Sequence, residues 1–308
     1  MQIYVSGSLA YDRIMDFPGK FEDHILPDKI HVLNVSFTVN GLAENFGGTA
    51  GNIAYSLSLL GERPLILATA GSDFERYEKW LSRHQLSMTG IRKVNDTLTA
   101  GAYITTDQSD NQITGFNPGA MQHPSNYGFN NVNTDNAFAI VAPGNLDDMQ
   151  HYSRHYQQMG VDYIFDPGQS IPALTGDALV GMISGCKYLI SNDYELELIK
   201  RATGMRTDDL LKRCGAVITT LGENGSVVRT AQNDIHVDSV GVDTVIDPTG
   251  AGDAFRAGLI KGIIANKPLV DATRMGAVSA SYAVEKQGTQ AHSFTMNEFN
   301  ARYQRTFG

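Results

Sequence analysis

A short apolar run followed by a longer amphipathic stretch recurs along most of the chain, and this alternation constrains the fold more than any other feature. Ile3–Ser6, Pro64–Ala70, Phe138–Val141, Tyr163–Phe165, Tyr188–Ser191 and Ala216–Leu221 read as short buried strands. Helical stretches lie between them at Thr49–Leu60, Asp73–Gln85, Asp147–Met159, Asp177–Gly185, Tyr194–Thr203 and Thr207–Arg213. In the first, Ala50, Ile53, Ala54, Leu57 and Leu60 keep the i, i+3, i+4, i+7 spacing of one helix face. Strands that alternate with helices are joined by crossovers, which predicts a mostly parallel sheet covered on both faces. The expected fold is a doubly wound α/β core. At 308 residues the chain can hold one large α/β domain with an appendage, or two modest domains.

Two regions break the rhythm. From Met15 to Asn45 the chain reads as extended, with partial alternation through Ile30–Val39. Farther on, the β-like runs Thr99–Thr106 and Gln112–Phe116 flank Asp107–Asn111, which reads as a hairpin turn. Both insertions follow core elements, so they can fold together as a small accessory sheet. Ligands of α/β sheets bind beyond the carboxyl ends of the strands, where such a sheet would serve as a lid. A plain surface excursion fits the pattern equally well. After Gly222 the pattern turns antiparallel, with edge strands at Gly225–Arg229 and Ile235–Asp238 around the polar turn Thr230–Asp234. Helices are then expected from about Ala254 to Ile264, from about Pro268 to Val284, and after Thr295.

Composition excludes several classes. With 42% hydrophobic and 19% charged residues the chain has no disordered character. A formal charge of −9 argues against non-specific nucleic-acid binding, which needs Lys and Arg to replace counterions. It leaves room for phosphate ligands, which helix N-termini bind through backbone amides. Cys186 and Cys214, with no CxxC, suggest reduced core thiols. Met1–Val5 does not resemble a signal peptide, and no stretch approaches the roughly 18 apolar residues of a membrane span. A soluble, cytoplasmic protein is expected.

Chemistry concentrates in four segments. In Asp247-Pro248-Thr249-Gly250-Ala251-Gly252-Asp253, proline and glycine stop a strand and a helix begins near Ala251–Asp253. Small residues there leave the N–H groups of Gly250, Ala251 and Gly252 bare at the positive end of the helix dipole, suited to a transferring phosphoryl group. Asp253 has two readings, a helix cap or a base that accepts the proton of an attacking hydroxyl. Gly47-Gly48-Thr49-Ala50-Gly51-Asn52 precedes a helix, and Asn52 there suits a vicinal diol; a Gly-Gly turn with a helix cap is the plainer explanation. Asn192 and Glu195 stand three apart at a helix start, as hard ligands for Mg²⁺ through water or as a capping pair. Thr219-Thr220-Leu221-Gly222-Glu223-Asn224-Gly225 is a strand end and glycine turn of the sort that lines nucleotides. No G-x-x-x-x-G-K-[ST] loop, G-x-G-x-x-G fingerprint, H-R-D, H-E-x-x-H or G-x-S-x-G motif is present.

Taken together, these segments resemble the ribokinase-like (PfkB) carbohydrate and nucleoside kinases over essentially the whole chain. Both family signatures are matched, at Gly47–Gly61 and at Asp247–Gly258, and the Asn-x-x-Glu motif stands at Asn192–Glu195. The resemblance implies a single kinase domain, a three-layer α/β/α core with a mostly parallel sheet, and a small β-sheet lid formed by about residues 13–46 and 99–118. It implies Asp253 as base, an anion hole of Gly250, Ala251 and Gly252, and Mg²⁺ organised by Asn192 and Glu195. ATP would lie by Asn192, Thr220, Gly222 and Gly225, with Ala280, Ala283 and Gly288 at the adenine. Asp12, Gly48 and Asn52 would hold sugar hydroxyls. Some members use K⁺ beside the anion hole, a region matched by Asp247 and Thr249. Lid sheets of some members pair between subunits, which leaves a homodimer open.

Residues Phe17–Phe46 and Gln112–Met121 are similar to microbial nucleoside and adenosine kinases, and Gln112, Phe116 and Met121 would face the acceptor. Phe116 and Met121 can supply stacking surface for a purine, or can pack the lid. The expected activity is transfer of the ATP γ-phosphoryl group to the 5′-hydroxyl of adenosine or a related nucleoside. An ordinary ionised Asp253 suffices for that step. Two alternatives are a sugar kinase with the same machinery and a catalytically silent ligand-binding protein. A sugar-phosphate acceptor would call on Arg13, Lys20 or Lys29 in the lid.

Overall fold

The structure is a computed structural model, which describes residues 1–32, 34–109, 111–129 and 133–308. In chain order its elements are β1 (Gln2–Ser6), β2 (Ala10–Asp16), β3 (Ala43–Gly47), α1 (Thr49–Leu59), β4 (Leu65–Ala70), α2 (Glu75–Arg83), β5 (Ile91–Lys93), β6 (Ala100–Thr106) and β7 (Gln112–Asn117). There follow β8 (Ala137–Val141), α3 (Leu146–Met159), β9 (Tyr163–Phe165), α4 (Gly176–Ile183), β10 (Tyr188–Asn192), α5 (Asp193–Thr203) and α6 (Thr207–Leu211). The chain closes with β11 (Ala216–Thr220), β12 (Ser226–Arg229), β13 (Asp234–Val237), α7 (Ala251–Ile264), α8 (Leu269–Val284) and α9 (Met296–Phe307).

The large sheet runs β13-β12-β11-β10-β9-β8-β1-β4-β5. From β5 to β11 every pairing is parallel, and β12 and β13 add an antiparallel edge. This is the expected doubly wound α/β core. Its strands read as uninterrupted apolar runs because both faces are buried. In β9, Ile164 enters one core cluster while Tyr163 and Phe165 enter the other. Helices α1, α2, α7, α8 and α9 cover the first face, and α3 to α6 cover the second. Each fully buried large apolar side chain contributes roughly 1.5–3 kcal/mol to holding these layers.

The strand order places β1 between β8, which leads to the β11 side, and β4, which leads to the opposite edge. The chain therefore parts at the carboxyl ends of β1 and β8, the position at which open α/β sheets form a crevice. There Gly7 and Gly144 pack backbone to backbone, and a side chain on Gly144 would meet the Gly7 Cα at 2.9 Å. Helices α7 and α8 approach as closely, because a Cβ on Gly258 would fall 2.3 Å from the Met275 carbonyl.

A second sheet, β3-β2-β6-β7, stands apart from the first. Its strands β6 and β7 match the expected hairpin, although Asp110 of the turn lies outside the described residues. The expected extended chain from Met15 to Asn45 is corrected. β2 and β3 pair only at its two ends, and the stretch between holds 3₁₀ turns at Phe21–Asp23 and Pro27–Val32. Leu33, within the Ile30–Val39 run, lies outside the described residues. Phe17, Phe21, His24 and Phe37 hold this stretch together, with the Phe17 and Phe37 rings 4.7 Å apart. Aromatic side chains gathered from scattered positions have replaced strand alternation as the ordering force.

Candidate active site

Two helix N-termini meet beyond the carboxyl ends of the central strands. Helix α1 begins after Gly48, whose φ of +87° and crowding against the Ser8 carbonyl (2.6 Å from a would-be Cβ) admit only glycine. Its first turn is anchored to the crevice: the Thr49 N–H donates to Ser8 Oγ at 3.0 Å, and Thr49 Oγ donates to the Pro143 carbonyl at 2.6 Å. Helix α7 begins after Gly250, at φ +79°. The Asp247 carboxylate shapes that entry by accepting the Thr249 and Gly288 N–H groups, each at 2.9 Å. These bonds outweigh burial and lower its pKa. The Ala251 N–H turns back to the Pro248 carbonyl at 3.2 Å. This corrects the expectation of three bare amides: Gly250 and Gly252 keep theirs free among the described residues, and Ala251 does not.

The two helices join through one hydrogen bond, from Asn52 Nδ2 to Asp253 Oδ2 at 2.8 Å. Asp253 is thus engaged by another element rather than capping its own helix, and α7 has no side-chain cap. Burial drives its carboxyl up to about 7 against the pull of Asn52 and Arg256, while Asp166 and Asp12 add to the rise. An ordinary carboxyl was expected; a half-buried one beside two other acids is found instead. Asn52 is itself committed, because its Oδ1 accepts Gln290 Nε2 at 3.0 Å. One amide hydrogen is left for a diol.

Sequence reading missed the cation of the site. Arg256, three residues beyond Asp253 on α7, pairs twice with Asp166 just past β9, at 2.5 and 3.0 Å, and donates to the Gly252 carbonyl at 3.0 Å. Both side chains are buried. Their signal was available as an i, i+3 relation to Asp253 and an acid at a strand's carboxyl end. Across the β9–β10 ends, Asn192 and Glu195 form a capping box: the Glu195 N–H donates to Asn192 Oδ1 at 2.7 Å, and the Asn192 N–H to Glu195 Oε2 at 2.8 Å. Burial and nearby Asp166 raise the Glu195 carboxyl. Only Oε2 is spent on the cap, so Oε1 can still hold a hydrated cation. Such a pair suits Mg²⁺ carried by phosphates and water rather than a cage of protein ligands.

Asp12 lies on β2, where Gly47 on the neighbouring strand, two residues along from the Asn45 opposite it, leaves space for its carboxylate: a Cβ there would fall 2.5 Å from Oδ2. It accepts no hydrogen bond among the described residues, and burial together with Asp247 lifts it to about 6. Strand register puts Asn45, Asp12, Ala102 and Phe116 in one row across the second sheet. Ile14, Ile104 and Thr114 form the next row on that face, and Gln112 lies beyond them, beside Thr106. The opposite face turns Tyr11 and Arg13 toward α2. Phe116 is 53% exposed, so it is not lid packing in this conformation. Met121 is half-buried in a 3₁₀ turn, its carbonyl held by Asn145.

Thr220 ends β11, and Gly222 and Gly225 carry the turn after it. On α8, Ala280 is half-buried, but Ala283 is buried, as is Gly288 beyond the end of the helix, so neither presents surface here, contrary to expectation. Exposed apolar surface beside α8 comes instead from Val245 and Ile246, the latter held by its N–H to the Val284 carbonyl. Of the lid cations, Arg13 is bound by Glu44 and Asp73, and Lys20 pairs with Glu22; the Lys29 side chain is outside the description. Cys186 and Cys214 are buried and free, and among the described residues no helix is long and apolar enough to cross a membrane.

Comparison with known proteins places this geometry. The model of the pfkB family carbohydrate kinases matches residues 11–296, and the chain belongs to that family. A nucleoside kinase of Methanocaldococcus jannaschii is 30% identical over 88% of this chain and 90% of its own length. The structure of Burkholderia thailandensis nucleoside kinase in complex with inosine superposes with a TM-score of 0.87 at 37% identity, over 99% of this chain and 98% of that one. The same enzyme is also known in complex with ADP-inosine. The chain is therefore a phosphotransferase that acts on a hydroxyl group.

Proposed function

We propose that this enzyme transfers the γ-phosphoryl group of ATP to the 5′-hydroxyl of adenosine, inosine or a related nucleoside. The observation that carries the choice of acceptor is the composition of one sheet face. Asp12 and Asn45 offer polar atoms for ribose hydroxyls, while Ile14, Ile104 and Phe116 on the same face offer apolar surface for a flat base. A free sugar would leave that apolar surface uncovered. The inosine complex of the Burkholderia relative supports the same class of acceptor.

In this reading the second sheet acts as a lid and Asp253 as the base. The hydroxyl oxygen attacks the γ-phosphorus, its proton passes to Asp253 Oδ1, and the bond to the leaving ADP breaks. The free Gly250 and Gly252 amides face the charge that gathers on the phosphoryl oxygens. A carboxyl titrating near 7 is better matched to this task than an ordinary one, because it binds the abstracted proton more tightly while remaining ionised in part. Asn192 and Glu195 would orient Mg²⁺, which would supply charge neutralisation at the phosphates. Asp247 and Thr249 are the residues to which K⁺ would bind if this member uses it. Thr220, Gly222 and Gly225 would follow the nucleotide, with Val245, Ile246 and Ala280 against adenine.

The decisive assay is ADP release with Mg-ATP against adenosine, inosine, guanosine, cytidine, ribose, fructose and fructose 6-phosphate. Nucleosides should turn over at least tenfold better than sugars. Turnover confined to sugars would overturn the acceptor and leave the phosphotransfer intact. The sugar phosphate is expected to fail, since Arg13 is already neutralised by two carboxylates.

A further inference from the structure

Four polar side chains from four distant parts of the chain form a directed relay that ends on Asp253. Trp80 Nε1 donates to Gln290 Oε1 at 2.8 Å, Gln290 Nε2 donates to Asn52 Oδ1 at 3.0 Å, and Asn52 Nδ2 donates to Asp253 Oδ2 at 2.8 Å. A branch strengthens it: Gln290 Nε2 also donates to Tyr77 Oη at 2.6 Å, and Tyr77 Oη donates to the Gly47 carbonyl at 2.8 Å. Asn52, Tyr77 and Gln290 are 4%, 0% and 6% exposed, so water cannot substitute for these partners.

The direction of every bond follows from the ends. An indole N–H can only donate, so the Gln290 carbonyl must face Trp80. A peptide carbonyl can only accept, so the Tyr77 hydroxyl hydrogen is spent on Gly47 and its lone pair must take a Gln290 hydrogen. Both anchors force the same orientation on Gln290, with its NH₂ toward Asn52. Asn52 must then turn its carbonyl to Gln290 and its NH₂ to Asp253. Reversing either amide would set oxygen against oxygen and strand a buried N–H, at the cost of a lost buried hydrogen bond on each side.

We propose that Gln290 is a positioning residue for phosphoryl transfer: it fixes the Asn52 amide so that a donor holds Asp253 Oδ2, and Oδ1 is the oxygen presented to the acceptor hydroxyl. This rests on the reading of Asp253 as base. Oδ1 accepts no hydrogen bond among the described residues, as the oxygen that takes the proton must. A donor on Oδ2 also favours the ionised carboxylate over its protonated form, in a site where burial acts the other way. The charged and titratable groups facing Asp253 are Arg256 on its own helix, Asp166 after β9, Asp12 on β2 and Tyr77 on α2. The relay is the neutral contribution among them.

The test uses Gln290→Met, which keeps volume and removes the amide, and Gln290→Glu, which keeps shape and replaces the donor by an acceptor. For each, kcat, KM for ATP and nucleoside, and the pH profile of kcat/KM are measured beside thermal unfolding. In both variants kcat is expected to fall about tenfold or more, with KM for ATP unchanged. The acidic limb should move up by about half a pH unit or more, as Asp253 loses a fixed donor. In an Asp253→Asn background, Gln290→Met should lower kcat no further. Wild-type kcat and an unmoved acidic limb in folded variants would overturn the proposal, as would additivity with Asp253→Asn. Failure of the underlying reading looks different: Asp253→Asn alone would keep full turnover.

Discussion

The raised carboxyl of Asp253 makes a prediction about stability as well as rate. In the folded protein it titrates near 7, and in the unfolded chain near 3.8. Between those values the folded state holds a proton that the unfolded state has released, so stability falls as pH rises from about 4 to about 7, and the loss is complete above 7. A rise of that size corresponds to about 4 kcal/mol at pH 8. Because Asp253 keeps partial contact with solvent, about 2–4 kcal/mol is expected. Asp253→Asn has the same shape, cannot ionise, and still accepts the Asn52 N–H. It should lower kcat by about 10²–10⁴-fold, as loss of a general base does. It should also raise Tm by several degrees at pH 8 and change it little at pH 4. Thermal unfolding of both proteins from pH 4 to pH 8 checks this. A Tm difference that stays flat across the range, or a variant less stable at pH 8, would refute the assignment of a strained, desolvated carboxylate.

Three further outcomes are expected. Arg256→Met leaves Asp166, 2% exposed, without its counter-charge, so urea unfolding should show a loss of about 3–5 kcal/mol, with kcat reduced as well. Asp12→Ala should raise KM for the acceptor at least about tenfold and leave KM for ATP unchanged, read from initial rates with each substrate varied. Phe116→Ala should raise nucleoside KM several-fold while changing stability by no more than about 0.5 kcal/mol, because the ring is exposed; a large loss of stability would return Phe116 to lid packing.

The parts of this fold that were legible in the sequence are those in which one local rule governs the residues. Strands β1, β4, β8, β9, β10 and β11 were readable because burial on both faces leaves unbroken apolar runs. The start of α7 was readable because Pro248, Gly250 and Gly252 leave the backbone few other courses. β5 escaped because its three residues include one apolar side chain, and β2 because its apolar residues, Ala10, Tyr11, Ile14 and Met15, do not alternate. The chain between β2 and β3 misled, since Phe17, Phe21 and Phe37 are brought together by tertiary contact and carry no common spacing. The site divides in the same way. Asp253 and Asn52 stood in glycine-rich turns that announce a ligand. Gln290 lies 238 positions from Asn52, and Arg256 lies 90 from Asp166, so no window of sequence contains either pair.

What those distant pairs add is a charge pattern that motifs alone do not disclose. Asp253 faces two acids, Asp166 and Asp12, which are themselves neighboured by Glu195 and Asp247, and the cation described among them is Arg256. Arg256 is spent on Asp166 and on the Gly252 carbonyl, so it steadies the first turn of α7 more than it offers itself to a ligand. A triphosphate entering this cleft therefore meets no free side-chain cation among these residues. In the proposed reading it would be held by the exposed amides at the start of α7, by the dipole of that helix, and by a cation that travels with the nucleotide. Burial, with Asp166 and Asp12 adding to it, keeps Asp253 protonated in part while the site is empty. Cations arriving with the nucleotide would lower its pKa and free the carboxylate, coupling the readiness of the base to the presence of the phosphoryl donor.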